Sequence, residues 1–155
     1  MSLYSFIKVE KEDLNLIKTI AKWYSSEWNI AEETTVQQIT NFPAAGLPFQ
    51  VIMKADNIPV ATAGLYNHVK LVDFDSRFSK YGPWLALVYT TTENRNKGYG
   101  TLLCKHIEEI SCHSGLKKIY LYTSTAEKLY RHLGWEEVER LAIQGREIVV
   151  MKKEL

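Results

Sequence analysis

The chain has 155 residues, of which 46% are hydrophobic and 24% charged, as is typical of one ordered globular domain. The formal net charge of +1 excludes a global field that would attract nucleic acid or an anionic membrane. No apolar run has the length of a membrane span, and the start, MSLYSFIKVEKED, has no apolar stretch of signal-peptide length. We therefore expect a single domain over residues 1–155, located in the cytoplasm, with neither a nucleic-acid nor a membrane partner.

The first part of the chain predicts a strand followed by two helices. Residues 4–10 have the pattern of a short strand, and apolar residues then recur at helical spacing over residues 13–28. Thr35 and Gln38 have the spacing of a capping box, which places the start of a second, short helix at Thr35. Pro43 is expected to end that helix.

The middle of the chain predicts three strands and a long helix. Two apolar runs flank the turn pair at residues 56–57 and indicate a β-hairpin. Residues 69–82 show no steady period and are interpreted as a loop. The continuous apolar run over residues 84–90 is typical of a central strand. A helical stripe follows over residues 99–110, and Gly115 is expected to terminate it in the left-handed conformation.

The last part predicts a strand, a short helix and a closing hairpin. Residues 117–124 form the strand, and Ser124 with Glu127 has the form of a second capping box. Gly134 is expected to end this short helix, and the pattern alternates on both sides of residues 144–145. The predicted fold is a mixed α/β one, with a central sheet of about seven strands flanked by about four helices in the order β-α-α-β-β-β-α-β-α-β-β.

Two cysteines, Cys104 and Cys112, lie eight residues apart on the predicted long helix, which separates them by about 12 Å. That distance excludes a disulfide between them or a shared metal ion. His106 and His113 lie on the same helix, but buried helical cysteines without a convergent ligand set are usually core residues. We therefore expect no metal.

The most informative segment is VYTTTENRNKGYGTLL, in which a buried strand leads through Arg95–Gly100 directly into a helix. Unpaired backbone amides at a helix N-terminus bind anions, and glycines let a phosphate approach the main chain. Taken alone, this motif has a plain alternative, because glycines in such a turn often serve only to turn the chain. It lacks the features of a dinucleotide fingerprint and of a P-loop.

A second motif, A-x-x-x-Y-x-x-x-G-W over residues 126–135, follows roughly thirty residues later. With both motifs, the chain resembles the GNAT superfamily of acetyl-CoA-dependent N-acetyltransferases. In that family [QR]-x-x-G-x-[GA] precedes a helix, and A-x-x-x-Y-x-x-x-G-[FYW] follows on a strand and short helix. The resemblance covers residues 83–155 closely, and the first half agrees mainly in its succession of elements.

The resemblance implies which residues contact acetyl-CoA. Backbone amides that hold the pyrophosphate come from Arg95, Asn96, Lys97, Gly98, Tyr99, Gly100 and Thr101. The pantetheine arm is lined by Leu87, Val88, Tyr89 and Thr90. Thr123 falls at a further contact position, where many family members have Asn.

The resemblance also implies two catalytic groups. The amide of Val88 falls where family members polarise the thioester carbonyl. Tyr130 falls where many members place the general acid for the departing thiolate, although an aromatic residue on a short helix can equally be a core residue.

The general base of the family is missing from its usual strand, because the corresponding positions are occupied by Trp84 and Ala86. The base is then ordered water or a group elsewhere, and the candidates are Glu27, His68, Asp73 and Asp75. Each of these could equally be a solvated acid or a structural histidine. Four aromatic residues are expected to make the acceptor cleft apolar and so to lower the pKa of an entering amine: Tyr24, Trp28, Tyr66 and Trp84.

The resemblance implies acetyl transfer from acetyl-CoA to a primary amine, of a small molecule or of a peptide or protein, by direct attack in a ternary complex. The alternative is a non-catalytic acyl-CoA-binding module of the same fold. An RNA-directed protein is disfavoured by the charge balance. A homodimer stays open.

Overall fold

We describe the protein from a computed structural model, which describes residues 3–155. Over this range the chain forms seven strands, five α-helices and two short 3₁₀ helices. The strands are β1 (Tyr4–Lys8), β2 (Phe49–Ala55), β3 (Ile58–Tyr66), β4 (Trp84–Thr90), β5 (Lys118–Thr123), β6 (Glu136–Ile143) and β7 (Arg146–Glu154). The α-helices are α1 (Leu14–Trp28), α2 (Glu32–Thr40), α3 (Lys70–Phe74), α4 (Tyr99–His113) and α5 (Glu127–His132). The 3₁₀ helices are Ser76–Lys80 and Thr92–Asn94.

The strands within the described range form one open sheet in the order β1-β2-β3-β4-β5-β7-β6. The pairs β1/β2, β2/β3, β5/β7 and β6/β7 are antiparallel, and β4 runs parallel to β5 with Trp84 opposite Tyr120. The predicted mixed sheet is confirmed. Because β4 is the middle strand, its apolar run is continuous rather than alternating.

The chain divides into two compact units, which we call the first and the second unit. The first unit comprises the described residues up to Leu65 together with Leu87–Ile107, and the second comprises Tyr66–Ala86 and Glu108–Leu155. Each unit has its own apolar core, built around Ile17, Ile20 and Tyr24 in the first and around Phe78, Trp84 and Tyr120 in the second. The single domain over residues 1–155 stays a prediction, and its residues 1 and 2 lie outside the described range.

Helix α1 buries the stripe that the sequence predicts. Its buried residues are Ile17, Ile20, Ala21 and Tyr24. Trp28, the last residue of that pattern, is exposed at the end of the helix, where Asn29 adopts the left-handed conformation with φ 56°. Within residues 3–155, no helix is both long and apolar enough to cross a membrane.

Helix α2 begins earlier than its capping-box pattern predicts. It starts at Glu32 after Ala31, and Thr35 lies inside the helix and is buried. The predicted capping box is therefore wrong. Two glutamates, Glu32 and Glu33, occupy the first turn, where negative charge is favourable to the helix dipole.

The segment predicted as a loop contains helix α3 and the 3₁₀ helix Ser76–Lys80. The loop prediction is wrong for these residues because helices of about one turn are too short to show a period in the sequence. Leu71 and Phe78 are buried and pack in the apolar core of the second unit, which holds the segment in place.

The two predicted hairpins are confirmed. Asp56 and Asn57 turn between β2 and β3 with φ of 50° and 68°, and Gln144 and Gly145 turn between β6 and β7 with φ of 51° and 77°. Two consecutive residues with positive φ are typical of the type I′ turn, whose twist matches that of the strands it joins.

Of the two cysteines, Cys104 is a buried core residue as expected, whereas the same expectation is wrong for Cys112, which is exposed. Over residues 3–155, no group of three or more His, Cys, Asp and Glu side chains is placed to hold a metal ion.

Candidate functional site

The turn from β4 into α4 lies entirely within the first unit and contains most of the predicted cofactor residues. Two of its residues have left-handed backbone, Asn96 with φ 64° and Gly98 with φ 82°. A Cβ added at Gly98 would meet no atom within 4 Å, so the main chain there borders open space. The backbone conformation favours glycine at this position, because residues other than Gly, Asn and Asp rarely adopt it.

The start of α4 presents its backbone amides at the same turn. The amide of Leu102 donates to the carbonyl of Gly98 at 3.1 Å. The amides of Tyr99, Gly100 and Thr101 precede this first helical bond, and α4 supplies no carbonyl one turn back to accept from them. No acidic residue lies in the first turn, so the partial positive charge of the helix end is not offset by its own side chains.

Short side-chain contacts hold the turn in place. The Asn94 amide donates to the Thr91 hydroxyl oxygen at 2.7 Å, and Lys97 Nζ donates to Asn94 Oδ1 at 3.3 Å. The backbone amide of Thr91 donates to the carbonyl of Val60 on β3 at 2.9 Å. The turn is thereby tied to the sheet.

Arg95 connects this turn to α1. Its Nε donates to the carbonyl of Thr90 at 2.9 Å, and its guanidinium lies over the ring of Tyr89 at 5.6 Å from the ring centroid. A guanidinium nitrogen lies 3.5 Å from a carboxylate oxygen of Glu27 in a half-exposed ion pair. The candidate base Glu27 is therefore adjacent to the first residue of the cofactor motif.

Strand β4 is interrupted at Leu87, whose φ is 57°. A branched residue rarely adopts this left-handed conformation, so surrounding contacts have to maintain it. The Leu87 carbonyl accepts a hydrogen bond of 2.7 Å from the hydroxyl of Tyr24 on α1. The next amide along the chain belongs to Val88, the group predicted to polarise the thioester.

Behind Tyr24 lies a buried chain of polar side chains. Gln50 Nε2 donates to the Tyr24 hydroxyl oxygen and to the Thr62 hydroxyl oxygen, both at 2.8 Å, and the Thr62 hydroxyl donates to the Val51 carbonyl at 2.8 Å. All three side chains are almost fully buried. Burial raises the pKa of the Tyr24 hydroxyl well above its ordinary value, although its hydrogen bonds with Gln50 and Thr62 act in the opposite direction. Sequence reasoning missed this role of Tyr24.

The four aromatic residues expected along an acceptor cleft differ in exposure. Tyr24 and Trp84 are almost fully buried, Tyr66 is half-buried, and Trp28 is 42% exposed. Tyr24 and Trp84 therefore act as core residues, and the expectation that they form a cleft wall is wrong.

Thr123 lies in the second unit, where its hydroxyl caps the approach to α5. Its Oγ1 accepts from the backbone amides of Thr125 at 3.3 Å and Ala126 at 3.0 Å. The capping box predicted from Ser124 and Glu127 is wrong, because α5 begins only at Glu127.

The side chain of Glu127 joins an exposed ion-pair cluster with Arg131 and Arg140 instead. The hydrogen bond from Arg140, followed by that from Arg131, holds the pKa of the Glu127 carboxyl below its ordinary value. Glu127 is therefore a charged surface group of α5.

Tyr130 also lies in the second unit, on α5. Its side chain is 8% exposed, and its ring packs edge-to-face on Trp135 with 5.9 Å between centroids. Its amide donates to the carbonyl of Ala126 at 3.2 Å, and Gly134 ends the segment with φ 92°. The predicted end of the short helix at Gly134 is confirmed, as is the left-handed conformation predicted for Gly115, whose φ is 93°. The ring of Tyr130 is held by packing.

The remaining candidate bases lie on and beside the α3 segment of the second unit. His68 Nε2 and Asp73 Oδ1 are 2.9 Å apart and form an exposed pair. Asp75 caps the following 3₁₀ helix, because its Oδ1 accepts from the Arg77 amide at 3.1 Å and its Oδ2 lies 2.9 Å from Arg77 Nε. The carboxylate of Asp75 is thus engaged structurally.

Residues 15–135 match the model of the acetyltransferase (GNAT) family. No curated protein sequence matches the chain significantly. Among solved structures, the aminoglycoside 6′-N-acetyltransferase from Enterococcus faecium is 15% identical with a TM-score of 0.76, over 97% of this chain and 96% of that one. An aminoglycoside 6′-N-acetyltransferase complexed with coenzyme A is 14% identical with a TM-score of 0.74, over the same shares. An IAA acetyltransferase from Bacillus cereus is 14% identical with a TM-score of 0.64, over 99% and 100%. At these identities the likeness shows the fold.

Proposed function

Because the chain belongs to the acetyltransferase (GNAT) family, we propose that it moves an acetyl group from acetyl-CoA to a primary amine by direct attack in a ternary complex. The family match makes the protein an acyltransferase. The observation that carries the proposal is the turn from β4 into α4, where left-handed Gly98 borders open space beside the first amides of a helix. Such a turn suits the pyrophosphate of coenzyme A.

In the proposal, the cofactor contacts are those that the sequence predicts. The pyrophosphate lies against the amides of residues 95–101, and the pantetheine arm follows residues 87–90 of β4. Gly98 fits this role, since a side chain at that position would fill the space that a phosphate needs. Thr123 is a weaker contact in the proposal, because its hydroxyl oxygen already accepts from two amides.

The proposed reaction divides the work between two groups. The nitrogen of a neutral amine attacks the thioester carbon, and the Val88 amide donates to the carbonyl oxygen as negative charge develops there. The carbon–sulfur bond then breaks, and the thiolate takes the proton of Tyr130. The proton lost by the amine passes to a base, and one proton then returns to the Tyr130 oxygen through solvent, which leaves both groups as they began.

The test of the function is release of free thiol from acetyl-CoA in the presence of a panel of amines. The panel includes polyamines, amino acids, peptides with a free α-amine or lysine, and aminoglycosides, for which two of the similar structures are named. Thiol release that requires both the protein and one class of amine is expected. No release with any amine, by a protein that acetyl-CoA protects from thermal unfolding, would contradict the proposal. A cytoplasmic location and a homodimer stay predictions.

That negative result would favour the second candidate, a module that binds acyl-CoA without turnover. The observation behind it is the composition of β4, where Trp84 and Ala86 stand at the positions of the family's strand base. The indole N–H of Trp84 can only donate a hydrogen bond, and the methyl group of Ala86 can neither donate nor accept one. Neither residue can therefore accept a proton.

Single substitution of the four candidate bases is expected to give at most one large loss of kcat. The variants are Glu27→Gln, His68→Gln, Asp73→Asn and Asp75→Asn. A general base contributes about 10² to 10⁴ in rate, so the true base will stand out from the others in steady-state assays. Asp75→Asn should change the thermal stability only slightly, because the amide oxygen of Asn can still cap the 3₁₀ helix and only the half-exposed ion pair with Arg77 is lost.

Glu33→Gln is the matched control, since Glu33 is an exposed acid of α2 outside the proposed site. If all four variants turn over as fast as this control, the base is ordered water, or the amine enters already neutral. Large losses in two or more variants would contradict the prediction of a single base.

A further inference from the structure

The irregular residue Leu87 in β4 is held by a hydrogen bond from Tyr24, which reaches it from α1. We propose that Tyr24 is a positioning residue, which fixes the peptide between Leu87 and Val88 so that the Val88 amide points at the thioester carbonyl. This inference rests on the proposed function, because it concerns the amide to which that function assigns the carbonyl oxygen. Tyr24 itself touches neither substrate.

The geometry of the peptide bond couples the two groups. The carbonyl of Leu87 and the amide of Val88 belong to one planar trans unit, in which they point in opposite directions. A donor that fixes the carbonyl therefore also fixes the direction of the amide. Without such a donor, a left-handed branched residue has no local preference that would retain this orientation.

The direction of the Tyr24 proton is set by the polar chain behind it. Gln50 Nε2 can only donate, so the Tyr24 oxygen accepts from it and the single hydroxyl proton is left for the Leu87 carbonyl. The same logic applies at Thr62, which accepts from Gln50 and donates to the Val51 carbonyl. Burial keeps the Tyr24 hydroxyl protonated, since it raises the pKa well above the ordinary value.

The two ends of this chain provide a matched pair of variants. Tyr24→Phe and Thr62→Val each remove one hydroxyl that accepts from Gln50 and donates to a backbone carbonyl. Both positions are almost fully buried. Their effects on stability should therefore be similar. Only Tyr24 donates to the peptide of the proposed site, and Thr62→Val leaves in place the bond from Gln50 that orients the Tyr24 hydroxyl.

The experiment compares the two variants with the parent, using acetyl-CoA and the amine of the panel that gives the fastest thiol release. We expect Tyr24→Phe to lower kcat about ten- to a hundredfold. Removing an oxyanion donor altogether lowers kcat by about 10² to 10³, and this variant only loosens the donor. Its KM for acetyl-CoA should stay within about threefold of the parent's, because the amide acts in the transition state. Thr62→Val should keep kcat within about threefold of the parent's, despite a similar fall in melting temperature.

A second measurement uses nuclear magnetic resonance on the free protein labelled with ¹⁵N-valine. The Val88 amide signal should shift in Tyr24→Phe and stay in place in Thr62→Val. In the parent, the Tyr24 hydroxyl proton should exchange with water slowly enough to be observed. This measurement needs only the parent protein, so it can be made even if Tyr24→Phe does not fold.

Equal losses of kcat in the two variants, an unmoved Val88 signal or a rapidly exchanging Tyr24 proton would overturn the inference. A parent that releases no thiol with any amine would instead refute the proposed function, while the resonance measurements still decide whether Tyr24 orients the peptide.

Discussion

Tyr130→Phe is expected to lower kcat by about 10² to 10⁴ while the variant still binds acetyl-CoA and melts near the parent temperature. When the tetrahedral intermediate collapses, a thiolate with a solution pKa near that of cysteine, about 8.5, has to leave. A phenol with an ordinary pKa of about 10 can protonate it in a site from which water is excluded. Phenylalanine keeps the edge-to-face packing on Trp135 and removes only the hydroxyl.

The measurement is steady-state thiol release together with a melting curve of each variant. Tyr120→Phe is a matched control, because Tyr120 is also a buried tyrosine of the second unit. Unchanged turnover in Tyr130→Phe would mean that Tyr130 serves only the core. A variant that loses its fold would show that the hydroxyl is structural.

Gly98→Val is expected to abolish the stabilisation that acetyl-CoA gives the parent. At a ligand concentration one hundred times Kd, binding adds about 2.7 kcal/mol to the free energy of unfolding, which is visible as a thermal shift. The valine side chain would fill the open space beside the turn, and its left-handed backbone costs about 1–2 kcal/mol. Both effects act against the proposed pyrophosphate site.

Gly46→Val separates these two effects. Gly46 has the same φ of 82° as Gly98 and also borders open space, but it lies outside the cofactor motif. This variant should lose stability to backbone strain and still show the full thermal shift with acetyl-CoA. Gly100→Val adds a side chain inside the cofactor motif without backbone strain. Gly100 has no positive φ, and its added Cβ makes only an ordinary contact with Thr90. If Gly98→Val and Gly100→Val both bind like the parent, the phosphate site is elsewhere.

The elements with a strong pattern were predictable from the sequence. Helix α1 shows its buried stripe at spacings of three and four. The turn pairs at residues 56–57 and 144–145 contain Asp56, Asn57 and Gly145, whose residue types tolerate positive φ. The turn from β4 into α4 was recognisable because Gly98 marks one of its two left-handed residues and Gly100 lies in the first turn of the helix. In these places local preference and tertiary structure agree.

The errors fall where tertiary structure overrides a local signal. Thr35 has the sequence of a helix cap, but it is buried inside α2. Before α5, the amides of Thr125 and Ala126 donate to the Thr123 hydroxyl, one residue before the Ser124 of the pattern, and the helix itself has no side-chain cap. At Leu87 the sequence carries no signal, because leucine is not a residue that favours left-handed backbone, and the conformation depends on Tyr24, which lies 63 residues away along the chain.

The division into two units has a consequence for fragment design. The chain passes from one unit to the other between residues 65 and 66, 86 and 87, and 107 and 108, and each passage falls inside a regular element, namely β3, β4 and α4. Domain boundaries in modular proteins usually fall in exposed linkers. Each unit here is discontinuous in sequence, so no single cut of the chain isolates either one. A gene that ends at residue 65 would encode only an incomplete first unit, and one that ends at residue 86 or 107 would add an incomplete second unit. Each of these ends also breaks a strand or a helix.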